Sequence, residues 1–178
     1  MKTKILQIRI EECIKNKVKP QKTDDYNSEH KMSTRAYSEL YINDAQITVA
    51  HSFDYATRAL KISLFDYVEK FLNFEYLHLL EIGNPHYVSG ISGCELALEI
   101  CGIQIDIPSP PYNPGKEYWI GWIAAFYQWY RNVSYKTIFE KFSLERFETA
   151  YPTFHEENKM RMVEYMDEII LGVNTNDK

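Results

Sequence analysis

Apolar positions recur at three- and four-residue intervals along most of this chain, the period of helices that bury one face. The pattern starts at Tyr37 and continues through Leu40, Tyr41, Ala45, Thr48, Ser52, Tyr55, Ala56, Ala59 and Leu60, which predicts one long helix. Ser63 stands where an N-cap belongs. After it, Leu64, Phe65, Val68, Phe71, Leu72, Leu77, Leu79, Leu80 and Ile82 supply the apolar faces of a second helical region, which Gly83-Asn84-Pro85 stops. Ser92 and Glu95 have the spacing of a capping box, in which the Ser hydroxyl and the Glu carboxylate each accept a backbone N–H at the helix start. A short helix carrying Leu96, Ala97, Leu98 and Ile100 should follow, ending at Gly102.

Ile103, Ile105 and Ile107 alternate with Gln104 and Asp106 in the period of a short strand, but Pro108, Pro110, Pro111 and Pro114 then forbid a regular ladder. Residues 107–115 read as a stiff crossing between two helical lobes. Lys116 to Arg131 is the next helix, and Ser134 and Ser143 cap two short ones before Pro152. Thr153 with Glu156 forms a second capping box, opening a last helix through Met160, Met162, Val163, Met166, Ile169 and Ile170 to Gly172. The expected fold class is mostly α: a multi-helix globular domain around a central aromatic helix, with room for one short strand or an irregular N-terminal segment.

The first 32 residues follow other rules and form a separate basic arm and connector. Lys4 to Val18 fits a strand through Leu6, Ile8 and Ile10, and equally a helix through Leu6, Ile10 and Ile14. Residues 20–33 are polar and short of apolar side chains, the composition of a connector. The helical domain then spans 33–172, with a tail at 173–178.

Charge sharpens that division. Residues 1–22 hold Lys2, Lys4, Arg9, Lys15, Lys17, Lys19 and Lys22 against Glu11 and Glu12, a surplus of five positive charges. The formal total is −5, so the rest of the chain carries ten net negative charges. Such a body repels phosphate backbones, and nucleic-acid binding by the main domain is disfavoured. The longest apolar stretch, Tyr118 to Tyr130, is well short of the roughly 20 residues a bilayer requires. Cys13, Cys94 and Cys101 are odd in number, and Met1 is followed by Lys2, Lys4 and Arg9 without an apolar signal core, which fits a soluble protein of the reduced cytoplasm.

Candidate chemistry is sparse. Cys94 and Cys101 have no second Cys pair and no His at ligand spacing, so a structural zinc site lacks its parts. Glu75 and His78 make one Glu-x-x-His element where a di-iron bundle needs two, and His155-Glu156-Glu157 lacks the second His of a zinc-protease helix. Gly90-Ile91-Ser92-Gly93 lacks the spacing of a nucleophile elbow. Glycines at 83, 90 and 93 suggest a phosphate cradle, but Glu95 would occupy the donors and repel an anion. Asn84, Pro85, Tyr87, Gly90, Ser92, Gly93 and Glu95 are therefore read as a structural loop, with Gly90 as its backbone-geometry residue. No cofactor and no metal is implied.

The most distinctive stretch runs from Glu117 to Tyr130. Wound as a helix it is apolar almost all round, with Gly121 and Ala125 offering a close-approach groove. Such a helix is usually wrapped by its neighbours. The sharper reading leaves part of it open to a partner through Tyr118, Trp119, Trp122, Tyr127, Trp129 and Tyr130, since Trp and Tyr dominate binding hot spots.

Two segments together, residues 83–97 and 117–122 with Tyr127-Gln128-Trp129-Tyr130, resemble an uncharacterised family of small bacterial proteins encoded beside ADP-ribosyltransferase-like toxins in toxin–antitoxin-type clusters. The resemblance spans Ser33 to Ile170; the basic arm departs from the family pattern. It implies a stress or defence role as the neutralising or accessory member, with no catalytic residues to carry over. The leading expectation is a non-enzymatic module that holds a protein partner, a basic toxin, against its acidic surface. The alternative is a small enzyme or toxin whose active site uses ordinary Tyr, Asp, Glu or His residues that no linear motif marks.

Overall fold

The computed structural model describes residues 34–105, 107–108 and 111–173. The readings of the basic arm at 1–32, of Asp106 and Pro110 in the crossing, and of the tail beyond Val173 fall outside the described residues.

The fold is mostly helical, as the periodicity predicts. A 3-10 turn at Glu39–Tyr41 leads into α1 (Ile42–Arg58), followed by α2 (Leu64–Leu72), α3 (Leu77–Glu81), a π-helical turn at His86–Gly90, and α4 (Gly93–Cys101). After the crossing come α5 (Lys116–Arg131), α6 (Tyr135–Lys141), α7 (Leu144–Phe154) and α8 (Lys159–Ile170). The four serine caps fall where the sequence places them. Ser63, Ser92, Ser134 and Ser143 each accept a backbone N–H from the first turn that follows, and Glu95 completes the box by accepting from Ser92 N–H at 2.7 Å. Gly102 closes α4 with φ +65°, in the left-handed region that favours glycine.

The centre of the core is the pair α1 and α5. Val49, Ala50 and Phe53 of α1 and Ile120, Ile123, Ala124 and Tyr127 of α5 are fully buried. A side chain at Gly121 would meet the Val49 carbonyl oxygen at 2.9 Å and Ala50 Cα at 3.0 Å, so only the missing Cβ lets the two backbones approach this closely. Phe53 is the aromatic hub: Tyr67 and Phe71 of α2 meet it edge-on at 5.1 and 5.3 Å, and Phe139 of α6 stacks on it at 6.2 Å.

Polar ties fasten the periphery to this core. The Tyr127 hydroxyl donates to Asp167 Oδ1 at 2.9 Å, and Arg131 reaches both oxygens of the same carboxylate, joining α5 to α8 around a buried charge. Glu81 accepts the Tyr135 N–H at 2.8 Å and so links α3 to the start of α6. Ahead of α1, the Ala36 N–H donates to the Trp129 carbonyl and the Trp129 indole to the Tyr37 carbonyl, while Arg35 lies 3.6 Å over the Tyr130 ring.

Several expectations are corrected. The second helical region is two helices: Asn73 ends the first of them, its side chain donating to Glu69 O at 2.8 Å, a bond that competes with helix continuation. Leu40, Phe65 and Ile82, assigned to buried faces, are exposed at 86%, 69% and 63%. The alternating isoleucines make no strand: the described residues contain none, and Ile105 is open to solvent. Pro152 does not bound a helix but sits within α7, which runs on until His155 N–H bonds the Tyr151 carbonyl. Thr153 therefore caps nothing, and α8 starts at Lys159 with Asn158 Oδ1 accepting the Met160 N–H at 2.9 Å. Gly90 has no left-handed φ. The constrained glycine of that loop is Gly93, where a Cβ would fall 2.5 Å from the Thr48 carbonyl oxygen and 2.4 Å from His51 Cβ.

Candidate functional site

Of the six aromatic residues singled out on α5, Trp119, Tyr127 and Trp129 are buried, while Tyr118, Trp122 and Tyr130 are half-buried. Their contacts are largely internal. Trp119 packs edge-on against Tyr151 at 5.6 Å, Tyr127 bonds Asp167, Trp129 bonds the Tyr37 carbonyl, and Tyr130 lies under Arg35. Trp122 faces the Lys159 ammonium, 5.7 Å from its ring. Tyr118 points elsewhere, edge-on to His51 at 5.1 Å.

The loop residues are likewise tied to their own surroundings. Asn84 Oδ1 accepts the His86 N–H at 3.0 Å, ahead of the π turn that Pro85 opens. Tyr87 is buried with its hydroxyl on Glu99 Oε1 at 3.0 Å, and burial followed by that carboxylate pushes its phenol up to about 12. The Glu95 carboxyl is held below its usual value, first by the Ser92 backbone N–H and then by the Ser92 hydroxyl. Gly93 seats the start of α4 directly on α1.

That seating creates one wall of a cleft of about 470 Å³. α1 forms its floor, residues 89–94 one lip, and Tyr112 of the crossing the other. His51 sits between two phenols, with Tyr118 edge-on and the Tyr112 ring 6.0 Å away at 48°. Burial raises the Tyr118 phenol, helped by Tyr112 and Asp54 nearby, so Tyr118 stays neutral and presents an uncharged ring.

The crossing is held in place from below. Arg58 donates to both oxygens of Asp54 at 3.1 and 3.2 Å, and also to the Asn113 and Pro111 carbonyls at 3.0 and 2.8 Å. The Tyr55 hydroxyl donates to the Ile107 carbonyl. Arg58 thus neutralises Asp54 within the wall. The carboxylate of Asp44, in the first turn of α1, is exposed and makes no hydrogen bond or ion pair among the described residues. Ile47 beside it is 39% exposed and Tyr112 is 74% exposed, while no Lys or Arg lines the cleft. No group of three or more His, Cys, Asp or Glu side chains among the described residues could hold a metal ion.

Chemically, this is an aromatic and apolar concavity with one uncompensated carboxylate at its mouth, suited to an organic cation. Sequence reasoning did not assemble it. Asp44, Ile47, His51 and Asp54 share one face of α1 by their three- and four-residue spacing, and the polar residues at three of those four positions are the signal the sequence offers. Compared with known proteins, the chain matches no family model, no curated protein and no solved structure.

Proposed function

We propose that this chain is a non-enzymatic protein-binding module of the bacterial cytoplasm, the antitoxin or accessory member of a toxin–antitoxin or defence pair, which holds a basic protein partner. The observation that carries this reading is the α1 cleft, with an exposed carboxylate at its mouth and no Lys or Arg in its lining, set in a helical domain, residues 33–172, of eight net negative charges. The resemblance of residues 83–97 and 117–122, with Tyr127-Gln128-Trp129-Tyr130, to toxin-associated proteins supports the same assignment. No helix among the described residues is long and apolar enough to cross a membrane.

The test is co-expression with the product of the adjacent gene. The two should co-purify, co-expression should relieve any growth arrest that product causes, and association should slow as salt rises, because the Debye length falls from about 10 Å at 0.1 M to about 3 Å at 1 M. A second reading, a small enzyme or toxin, rests on His51 held between Tyr112 and Tyr118 in the same cleft. Growth arrest by this chain alone, reversed by its neighbour and abolished by His51→Ala, would put that reading first.

A further inference from the structure

The partner reading leaves open where the basic surface is gripped and by what chemistry. Lysine- and arginine-rich segments differ in what they need: a guanidinium is planar, stacks on aromatic faces and pairs bidentately with carboxylates, whereas an ammonium is a compact, strongly hydrated point charge. The cleft offers what the former uses. Asp44 stands at the mouth with its carboxylate uncommitted among the described residues, the Tyr112 ring is largely exposed, and His51 lies 6.0 Å from it. The protein already holds its own guanidinium groups in this manner, with Arg35 over Tyr130 at 3.6 Å and Arg58 on Asp54.

We infer that the α1 cleft is the docking site for an arginine-centred segment of the protein partner, the guanidinium entering between Asp44 and the His51 and Tyr112 rings while flanking apolar side chains rest on Ile47 and Ile91. This rests on the partner reading above. Charge complementarity selects the occupant: an anion would meet Asp44 without any Lys or Arg to receive it, and the nearby start of α4 is closed by its own Glu95. The exposed apolar rim at Ile47 and Tyr112 selects a segment over a free cation, because a free cation would leave that surface wet.

The experiment titrates the isotopically labelled full chain with the blocked peptide acetyl-Leu-Ala-Arg-Ala-Leu-amide, its citrulline counterpart and free arginine, following backbone amide shifts. The arginine peptide should move the amides of Asp44, Ile47, His51 and Cys94 saturably. The isosteric but uncharged citrulline peptide should bind about tenfold more weakly, having lost both the carboxylate and the ring contact. Asp44→Asn and Tyr112→Ala should each weaken the arginine peptide about two- to fivefold, and Glu140→Gln on the exposed side of α6 should change nothing.

Equal binding of the citrulline peptide, shifts confined to another face, or free arginine binding as tightly as the peptide would overturn the assignment. If Asp44→Asn and Tyr112→Ala leave salt-dependent capture of the neighbouring gene's product intact, the cleft assignment fails and the partner reading stands. Arginine-specific binding at the cleft with no co-purifying protein would instead overturn the partner reading, and the segment as occupant with it.

Discussion

Gly93 and Gly121 mark the places where the backbone of α1 is approached most closely. At Gly93 a Cβ would stand against the Thr48 carbonyl and the Ser52 nitrogen, atoms of a helix backbone that cannot swing aside. Gly93→Ala should therefore destabilise the protein by about 1–3 kcal/mol in urea denaturation, as overpacking does, and should reshape the cleft. Gly90→Ala should cost less, since its nearest obstacle, the Pro85 carbonyl oxygen, lies 3.1 Å away. The sequence shows both glycines but not which one faces a neighbour. A second residue-scale feature was invisible altogether: Asp167 reads as a polar position on the last helix, yet it is buried under Tyr127 and Arg131. Removing the two partners should have unequal consequences. Tyr127→Phe costs about 1 kcal/mol, one hydrogen bond, whereas Arg131→Met leaves a buried carboxylate uncompensated and costs about 3–5 kcal/mol. Equal losses in the same denaturation series would refute this account of the cluster.

Among the elements, helix beginnings were legible at Ser63, Ser92, Ser134 and Ser143, because each cap bond closes within three residues and owes little to the rest of the fold; Ser38, which caps the 3-10 turn before α1, was hidden inside the helical period that starts at Tyr37. The sequence pattern places the start of α8 too early because a proline at 152 reads as a stop, while in the structure α7 runs past it by two residues to Phe154. Asn158→Ala should accordingly lower stability by about 1 kcal/mol and Thr153→Ala should leave the thermal midpoint nearly unchanged; the opposite ranking would restore the sequence-based boundary. The junction of α3 with α6 carries a pH dependence. Burial raises the Glu81 carboxyl above its ordinary value, with the Tyr135 N–H and then His78 pulling it partly back. A carboxyl whose folded value lies above its unfolded one contributes stability that is fully present below the unfolded value and is lost as pH rises through the folded one. Glu81→Gln keeps an acceptor for Tyr135, so it should flatten the decline in stability above the usual carboxylate range and leave the acid side unchanged. Denaturation measured from about pH 4 to about pH 8 reads this directly, and parallel curves for the two proteins would exclude Glu81 as the source.

For the molecule as a whole, fold class was legible because the helical period is a local property of the sequence, and the aromatic run was legible as the central helix because it is apolar on every side. Which aromatic faces remain open was not. Trp119, Tyr127 and Trp129 are covered by Tyr151, Asp167 and the Tyr37 segment, contacts between parts of the chain far apart in sequence. The cleft was illegible for the same reason, since its two lips meet α1 only after Gly93 packs down and Arg58 draws in the crossing. Arg58→Ala should cost about 1–3 kcal/mol, through lost hydrogen bonds and an unpaired Asp54, and should speed amide hydrogen exchange at Tyr112 and Asn113 more than in α5. Unchanged exchange in the crossing would show that other contacts hold it.

All three tryptophans of the chain, Trp119, Trp122 and Trp129, belong to α5. Indole emission from this protein is therefore a report on a single helix: two fluorophores sealed in the core, and a third half-shielded beside the Lys159 ammonium. A dissolved quencher should reach Trp122 first and the other two only when α5 loses its wrapping. Far-ultraviolet ellipticity, by contrast, sums over every helix, so superimposable transitions from the two optical signals would mean that the aromatic helix and the helices around it come apart in one cooperative step.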